Sequence, residues 1–261
     1  RQIIRRSNAM VLVTGPTGSG KTTTLYAALS ELNTVDKKII TVEDPVEYRL
    51  PGINQVQINE KIELTFARVL RAALRQDPDI ILVGEMRDEE TAQIGLRAAL
   101  TGHLVLSTLH TKDAISTPIR LIDMGAPPYM VATSLHAVLA QRLVRLVCES
   151  CAEPYQPAGA ELNWLAAGMA QAAVGEASFK RGRGCSHCNG TGFLGRIGVY
   201  EMLEMTPDLV RAAGSSDTNR FTEVGKRQLE GYTLGRNAYK LAAAGRTTLD
   251  EAIRVASAQE E

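Results

Sequence analysis

The stretch Val11-Leu-Val-Thr-Gly-Pro-Thr-Gly-Ser-Gly-Lys-Thr-Thr-Thr-Leu25 decides the fold. Its centre, Gly15–Thr22, matches G-x-x-x-x-G-K-[ST] at every fixed position, between an apolar strand-like run and a helix-like run. Glycines allow consecutive backbone N–H groups to point at a phosphate, and the N-terminus of the next helix adds partial positive charge. The stretch therefore predicts a binding loop for a nucleoside triphosphate directly after the first strand.

The residues expected to bind this nucleotide form one continuous segment. In this pattern Lys21 reaches the β and γ phosphate oxygens, and the hydroxyl of Thr22 binds Mg²⁺. The predicted ligands are therefore ATP or ADP with Mg²⁺. The predicted nucleotide-binding residues are Gly15, Pro16, Thr17, Gly18, Ser19, Gly20, Lys21, Thr22 and Thr23.

Composition and charge narrow the class of protein. Of the 261 residues, 44% are hydrophobic, which is enough for a sizeable core. The 29 basic and 29 acidic residues balance, so the charge gives no indication of a nucleic-acid-binding surface. No apolar run is long enough to span a membrane, and the chain opens on Arg1 rather than on a signal peptide. We therefore expect a cytoplasmic protein without membrane insertion. Because the sequence lacks an initial methionine, we also expect it to be a fragment of a longer chain.

Short apolar runs rich in β-branched residues alternate with helical patterns in the first half of the chain. Such runs are typical of parallel strands that are buried on both faces. The predicted strands are Met10–Thr14, Lys38–Glu43, Asp79–Gly84 and His103–Thr108. The predicted helices are Thr23–Leu32, a segment that follows the N-cap Thr65, and Thr91–Leu100. The alternation predicts an α/β fold with a mainly parallel sheet and with ligands at the carboxyl ends of the strands.

The remaining segments are less regular. An alternating pattern with Pro51-Gly52 predicts a small hairpin within Tyr48–Asn59, and Ala114–Arg145 is predicted to be mostly helical. A strand is expected at Gly195–Leu203, followed by short helices to the C-terminus. We predict three domains: an ATPase core at 1–147, a four-cysteine module at 148–194 and a C-terminal strand and helical region at 195–261.

Acidic side chains follow two of the predicted strands. Glu43 and Asp44 come where the second strand stops at a proline, and Glu85 directly follows the third strand. Hydrolysis of a nucleotide needs one carboxylate for Mg²⁺ and another for water. Gly84 stands where the metal-binding Asp of this kind of strand normally lies, which makes Glu85 the first acid. A helix-capping role is the alternative for each acid taken alone.

Two histidines frame the fourth predicted strand. His110 falls at its carboxyl end, where a side chain could sense the γ-phosphate, and we predict a catalytic role for it. His103 opens the strand at the opposite end, and structural and functional roles remain equally open for it.

All four cysteines fall in two C-x-x-C pairs, Cys148/Cys151 and Cys185/Cys188. Without an export signal, metal binding is favoured over disulfides, and a closed site of four thiolates predicts structural Zn²⁺. His187 is then not needed as a ligand. The interval between the pairs is longer than in a typical zinc ribbon, so free structural thiols remain an alternative.

In combination, these motifs resemble the secretion-ATPase superfamily. Glu-Asp-Pro-Val-Glu-Tyr at 43–48, Gly-Glu-Met-Arg-Asp at 84–88 and the run between the histidines at 103–110 follow the phosphate loop in that family's order. The paired cysteines, Gly-Arg-Ile-Gly-Val-Tyr-Glu at 195–201 and Gly-Arg-Thr-Thr-Leu-Asp-Glu at 245–251 look like the branch that serves type II secretion and type IV pilus assembly. Within it, the cysteine pairs look most like MSHA-type pilus ATPases.

The resemblance implies a hexameric motor with a RecA-like core. It implies that Glu43 is the catalytic base and that Glu85 supports Mg²⁺, and that inner-membrane platform and cytoplasmic adaptor proteins are partners. The motor would then lie in the cytoplasm, peripheral at the inner membrane. A preceding domain supplies arginines to the γ-phosphate in that family, so we expect slow hydrolysis without it. Arg87 and Arg97 are the internal basic candidates, with a surface role as the alternative for each.

Two other functions are alternatives to this motor. A RecA-like nucleic-acid motor would predict a basic stripe, which the balanced charge disfavours. A nucleotide-sensing module with incidental turnover would not need Glu43, Glu85 and His110 together.

Overall fold

The computed structural model describes residues 3–166, 177–215 and 217–257. Residues 167–176, part of the long interval between the two cysteine pairs, lie outside the described residues. The chain forms two compact units, Arg1–Ala140 with Met202–Leu229 and Gln141–Glu201 with Glu230–Glu261. The division into three domains at 147/148 and 194/195 stays a prediction.

A seven-stranded sheet organises the chain. Its strands are β1 (Ala9–Thr14), β2 (Ile39–Glu43), β3 (Asn54–Gln57), β4 (Ile80–Val83), β5 (Leu104–Leu109), β6 (Leu135–Val147) and β9 (Phe193–Glu204). They lie in the order β3-β2-β4-β5-β1-β6-β9, and the pairs β1·β5, β1·β6, β2·β3, β2·β4 and β4·β5 are parallel. The mainly parallel α/β fold is thus confirmed. A separate antiparallel pair joins β7 (Ala152–Pro154) to β8 (Lys180–Gly182).

Helices connect these strands, and four of them follow the last strand. They are α1 (Lys21–Leu32), α2 (Phe66–Leu74), α3 (Glu89–Leu100), α4 (Ser116–Asp123), α5 (Pro128–Ser134), α6 (Ala160–Trp164), α7 (Pro207–Gly214), α8 (Thr218–Gln228), α9 (Leu234–Ala243) and α10 (Leu249–Ser257). Thr65 caps α2 as predicted, because its side chain accepts a hydrogen bond from the amide of Arg68. Across the described ranges, no helix combines the length and the hydropathy that crossing a membrane requires.

The central strands form the core. Every residue of β1, β2, β4 and β5 is buried, as expected for parallel strands that are covered on both faces. Apolar side chains of α1, including Leu25 and Leu29, pack with this core. The helix that begins in the phosphate loop is therefore fixed directly against the sheet.

Two predictions of local structure were wrong. Leu135–Val147 is a strand rather than helix, and it pairs in parallel with β1 from Val11↔Ala137 to Thr14↔Ala140. Its apolar residues are so frequent that they fit either periodicity, and pairing with a buried strand decides between them. The predicted hairpin at Tyr48–Asn59 is also absent from this described segment, where β3 instead joins the sheet edge in parallel with β2.

Candidate nucleotide site and cysteine cluster

The phosphate loop lies between β1 and α1, and its backbone depends on three glycines. Gly15, Gly18 and Gly20 have φ of 147°, 77° and 86°, which side-chain-bearing residues rarely adopt. Gly20 is the N-cap of α1, so Lys21 is the first residue of the helix. Nζ of Lys21 donates to the carbonyl oxygens of Gly15 at 2.8 Å and of Pro16 at 3.1 Å, which holds the ammonium group at the loop.

The loop is accessible from outside the protein. Pro16, Thr17 and Gly18 are exposed at its tip, Thr22 is half-buried and Thr23 is exposed in the first turn of α1. The loop thus offers a cation, hydroxyl groups and a helix N-terminus to an approaching anion, which is the chemistry that a nucleotide phosphate needs. A hard oxygen donor such as the Thr22 hydroxyl also suits Mg²⁺.

Glu43, the predicted base, ends β2 and is only 3% exposed. Three donors from three elements contact its carboxylate. The Tyr26 hydroxyl on α1 donates to Oε2, while the Thr41 hydroxyl on β2 and Nε2 of Gln55 on β3, at 3.3 Å, donate to Oε1. A buried carboxylate needs such partners because burial removes its hydration.

The orientation of these donors is itself fixed by neighbours. Oε1 of Gln55 accepts from the amide of Leu50 at 2.7 Å, which turns Nε2 toward Glu43. Burial, and next the hydrogen bond to Glu43, raise the pKa of Tyr26, so its hydroxyl stays a proton donor. The ring of Tyr48 meets that of Tyr26 edge-on, with centroids 4.7 Å apart. Sequence reasoning missed Tyr26, Thr41 and Gln55; the alternating pattern at 53–57 was a signal for Gln55.

Glu85 lies in a separate, more open group of charges. Its Oε2 accepts from Nε of Arg87 at 2.7 Å, and its Oε1 lies 3.3 Å from Nε2 of His110. Arg87 also reaches Asp44 at 3.4 Å. The hydrogen bond with Glu85 is the main cause that raises the pKa of Arg87. Glu85, His110 and the internal candidate Arg87 are thus brought together, with the Glu85 side chain 21% exposed.

Gly84, which replaces the expected acid before Glu85, is explained by crowding against β2. A Cβ at this position would lie 3.2 Å from the carbonyl oxygen of Val42 and 3.3 Å from Cα of Glu43. The Gly84 amide also donates to that Val42 oxygen at 2.7 Å. The chain at 84 therefore passes too close to the end of β2 for an aspartate to fit without displacement.

Hydroxyl groups join the ends of the strands that carry these side chains. Thr108 donates to the carbonyl of Gly84 at 2.7 Å, which links β5 to the segment after β4. Thr14, the last residue of β1, donates to the carbonyl of Leu109 at 2.9 Å and accepts from the amide of Thr111 at 3.0 Å. His110 is thereby held between two residues that are tied to the start of the phosphate loop.

Arg97 and His103, two further candidates from the sequence, lie away from the strand ends that carry Glu85 and His110. Arg97 is exposed in the last turn of α3, and His103 directly precedes β5, so both are at the amino end of that strand. Nδ1 of His103 lies 2.9 Å from the carbonyl oxygen of Ala98, at the end of α3. This contact supports a structural role for His103.

The four cysteines form one cluster, in which all Sγ atoms lie within 4.8 Å of one another. The Sγ separations are 3.9 Å for Cys148–Cys185 and Cys151–Cys188, and 3.7 Å for Cys185–Cys188. A tetrahedral zinc ion with Zn–S distances of about 2.3 Å requires sulfur atoms roughly 3.8 Å apart. The donor set and its spacing therefore fit Zn²⁺.

Backbone amides surround one of these sulfur atoms. The amides of Cys185 and Gly192 donate to Sγ of Cys188 at 3.3 Å and 3.2 Å. Burial raises the pKa of the Cys188 thiol, but these amides outweigh it and lower the pKa to about 6, so the group favours thiolate. Burial raises the pKa of Cys151 to about 12, the opposite direction, which a bound cation would reverse.

Glycines allow the chain before and after the second cysteine pair to pass close together. A Cβ on Gly182 would lie 2.1 Å from the carbonyl oxygen of Gly192, and one on Gly184 would lie 2.6 Å from that of Gly190. His187 is exposed and is not among the grouped metal-ligand residues of the described chain.

The fold and the loop define a P-loop nucleotide-binding protein of the α/β class. A family model described as Type II/IV secretion system protein matches residues 1–254. The chain belongs to this family.

Relatives from several bacteria carry names of the same family. The chain is 50% identical over 256 residues to type II secretion system protein E of Dickeya dadantii (strain 3937), covering 97% of this chain and 49% of that protein. It is 46% identical over 254 residues to type II secretion system protein E of Pseudomonas aeruginosa, covering 97% of this chain and 50% of that protein. The chain thus spans about half the length of the curated relatives it matches.

Solved structures share the fold. The pilus retraction motor PilT, solved with bound ADP, aligns with a TM-score of 0.72 and 31% identity, over 97% of this chain and 63% of that one. The Legionella pneumophila ATPase DotB aligns with a TM-score of 0.70 and 23% identity, over 98% of this chain and 62% of that one, a likeness of fold alone.

Proposed function

We propose that this chain hydrolyses ATP and is the motor region of a type II secretion or type IV pilus assembly machine. The observation that carries the proposal is a phosphate loop whose first strand is joined by hydrogen bonds to the strand end bearing His110, beside Glu85. Glu43 ends a neighbouring strand of the same sheet. Membership in the secretion family and the likeness to PilT support the same function.

The carboxylates divide the chemistry between them. Glu43, buried among three donors, acts as the base that takes a proton from the attacking water. Glu85 and Thr22 would hold Mg²⁺, which supplies charge neutralisation for the phosphates. Lys21 binds the phosphate oxygens, and His110 senses the γ-phosphate through its contact with Glu85. Arg87 is engaged by Glu85 and Asp44, so it would have to leave them to contact the nucleotide.

The cysteine cluster has a structural role in this proposal. Cys148, Cys151, Cys185 and Cys188 bind one Zn²⁺ with no position left for a substrate. The near-tetrahedral spacing of the sulfur atoms and the amides around Cys188 support zinc over free thiols.

The proposed oligomeric state and partners rest on the resemblance to the secretion-ATPase family. We propose a homo-hexamer that acts in the cytoplasm at the inner membrane, through platform and adaptor proteins and without nucleic acid. Relatives named type II secretion system protein E, at 46–50% identity, support the assembly branch of the family. The narrower likeness of the cysteine pairs to MSHA-type pilus ATPases stays a prediction. Deletion of the gene tests it: loss of surface pili would support a pilus ATPase, whereas loss of secreted proteins would support a secretion ATPase.

Phosphate release tests the proposed chemistry. Glu43→Gln and Glu85→Gln should each lower the rate by about 100-fold or more, while the affinity for ATP stays within about threefold. Glu90→Gln is the matched control, because Glu90 pairs with Arg71 on exposed surface. Normal turnover by either of the first two variants would remove that residue from the mechanism.

A further inference from the structure

Tyr26 has no place in the chemistry described so far, although it is 1% exposed and contacts the proposed base. It lies on α1, the helix that Lys21 begins, and it belongs to the buried face of that helix with Leu25 and Leu29. Its hydroxyl donates to Oε2 of Glu43 on β2. A single side chain thus connects the helix that follows the phosphate loop to the catalytic carboxylate.

The number of hydrogen bonds that the Glu43 carboxylate can accept shows why the contact with Tyr26 matters. A carboxylate offers about four lone-pair positions, two on each oxygen. Among the described residues, Thr41 and Gln55 occupy Oε1, whereas Tyr26 alone occupies Oε2. One acceptor position therefore remains for water, and it belongs to the oxygen that Tyr26 holds.

Because the Glu43 carboxylate is buried, protein donors rather than bulk water determine its orientation. Glu43 is 3% exposed, so bulk water does not compete with the protein for the carboxylate. The three donors therefore fix the orientation of the carboxylate, and with it the direction of the remaining acceptor position on Oε2. Gln55 Nε2 also lies 3.4 Å from the Tyr26 hydroxyl, so that oxygen both receives a hydrogen bond and gives one to Glu43.

We propose that Tyr26 is a positioning residue for ATP hydrolysis, which aims Oε2 of Glu43 at the attacking water and ties that aim to the phosphate-loop helix. This rests on the proposed role of Glu43 as base. In the step, a water O–H bond breaks and its proton passes to Oε2. The oxygen bonds to the γ-phosphorus, and the bridging bond breaks with its electron pair leaving on the β-phosphate of ADP.

Removal of the hydroxyl should affect turnover without affecting binding. Tyr26→Phe keeps the ring against Tyr48 but frees Oε2, and we expect kcat for phosphate release by the intact protein to fall about 10-fold. The dissociation constant for ATP should change by less than about twofold, because Tyr26 is a buried residue of α1 outside the phosphate loop Gly15–Thr22. Tyr129→Phe is the matched control: it removes a hydroxyl from an exposed side chain on α5, and turnover should be unchanged.

A double-mutant cycle separates positioning from a merely structural role. In the Glu43→Gln background, Tyr26→Phe should lower the residual single-turnover rate by less than about twofold, since the group it aims is already lost. An equal fall in both backgrounds would show that Tyr26 acts independently of Glu43 and would overturn the proposal. Unchanged turnover of Tyr26→Phe alone would overturn it as well.

Two further readouts keep the outcomes distinct. If Tyr26→Phe unfolds too readily for assay, Thr41→Val removes a donor to Oε1 with nearly the same shape and should lower kcat by about threefold to tenfold with unchanged affinity; unchanged kcat overturns the account of aiming. Normal turnover of Glu43→Gln would defeat the proposed base and the positioning role together. An inactive Glu43→Gln with a fully active Tyr26→Phe would defeat the positioning role alone.

Discussion

The nucleotide site and the cysteine cluster both unite residues that are distant in sequence, but they differ in exposure and in charge balance. Glu85, Arg87 and His110 keep side-chain exposures of 21%, 52% and 44% and share charged contacts. Three of the four cysteines are buried, and two backbone amides donate hydrogen bonds to Sγ of Cys188. An open group of charges can rearrange around a ligand, whereas a closed set of thiolates holds one ion in a fixed geometry.

This difference assigns separate roles to the two regions. Catalytic metal sites keep a position open for water or substrate, and structural zinc sites do not. Changes at the phosphate loop should therefore alter binding and turnover with little effect on stability. Changes at the cysteines should do the reverse, which gives each region its own measurement.

The largest effect is expected at Lys21. Lys21→Ala removes the side-chain cation whose ammonium group is held at the loop by the carbonyls of Gly15 and Pro16. Affinity for a fluorescent ATP analogue should fall by about 100-fold or more, equivalent to about 2.7 kcal/mol, with no loss of zinc. Lys61→Ala, in the short exposed segment Glu60–Ile62, is the matched control and should bind normally. Unchanged affinity of Lys21→Ala would mean that the loop is not the nucleotide site.

An effect on stability alone is expected at Cys148. Elemental analysis should find one zinc ion per chain, and Cys148→Ser should lose it, because three thiolates leave the coordination incomplete. The free energy of unfolding should fall by several kcal/mol, out of the roughly 10–16 kcal/mol that structural zinc sites supply. Ser150→Ala, on the exposed surface between the first two cysteines, should retain both zinc and stability. A native protein that is metal-free and equally stable would contradict the closed site.

The smallest effect concerns pH and Glu251, which belongs to the same unit as the cysteines. Burial would raise the pKa of Glu251, but hydrogen bonds from Arg254 and Arg145 outweigh it and lower the pKa below its ordinary value of 4.5. A lowered folded-state pKa gives stability that is present above that ordinary value and is lost as the pH falls through the folded-state pKa. Both arginines are more than half exposed, which keeps the effect small.

Unfolding measured between about pH 6 and about pH 3 tests this linkage. Glu251→Gln should show a flatter decline in stability with falling pH than the wild type. Asp250→Asn, a neighbouring exposed position on α10, should follow the wild type. Identical declines for Glu251→Gln and the wild type would show that Glu251 does not contribute.

Much of this arrangement could be predicted from local sequence. The glycines of the loop need positive φ wherever they occur, so the motif predicts its own backbone. The ends of parallel strands share one edge, which is why Glu85 and His110 could be expected together. The C-x-x-C spacing likewise predicted the cluster of Cys148 with Cys185. Their roles in binding and catalysis stay predictions.

Other features depend on contacts that sequence patterns do not encode. The apolar pattern of β6 is compatible with either a helix or a strand, and only its pairing with β1 decides between them. Tyr26 falls at helical spacing among core residues, so its pattern predicts packing and gives no indication of a carboxylate partner. That partner becomes evident only when the sheet order brings Glu43 on β2 and Gln55 on β3 beside α1.

Hydrolysis of Mg·ATP by the intact protein in ¹⁸O-labelled water tests the central claim most directly. Attack of water at the γ-phosphorus predicts label in the released phosphate and none in ADP. The rate should fall by about 100-fold or more in Glu43→Gln, while zinc content stays the same in both proteins. Label in ADP, or equal rates of labelled phosphate release from the wild type and Glu43→Gln, would contradict the assignment of this site.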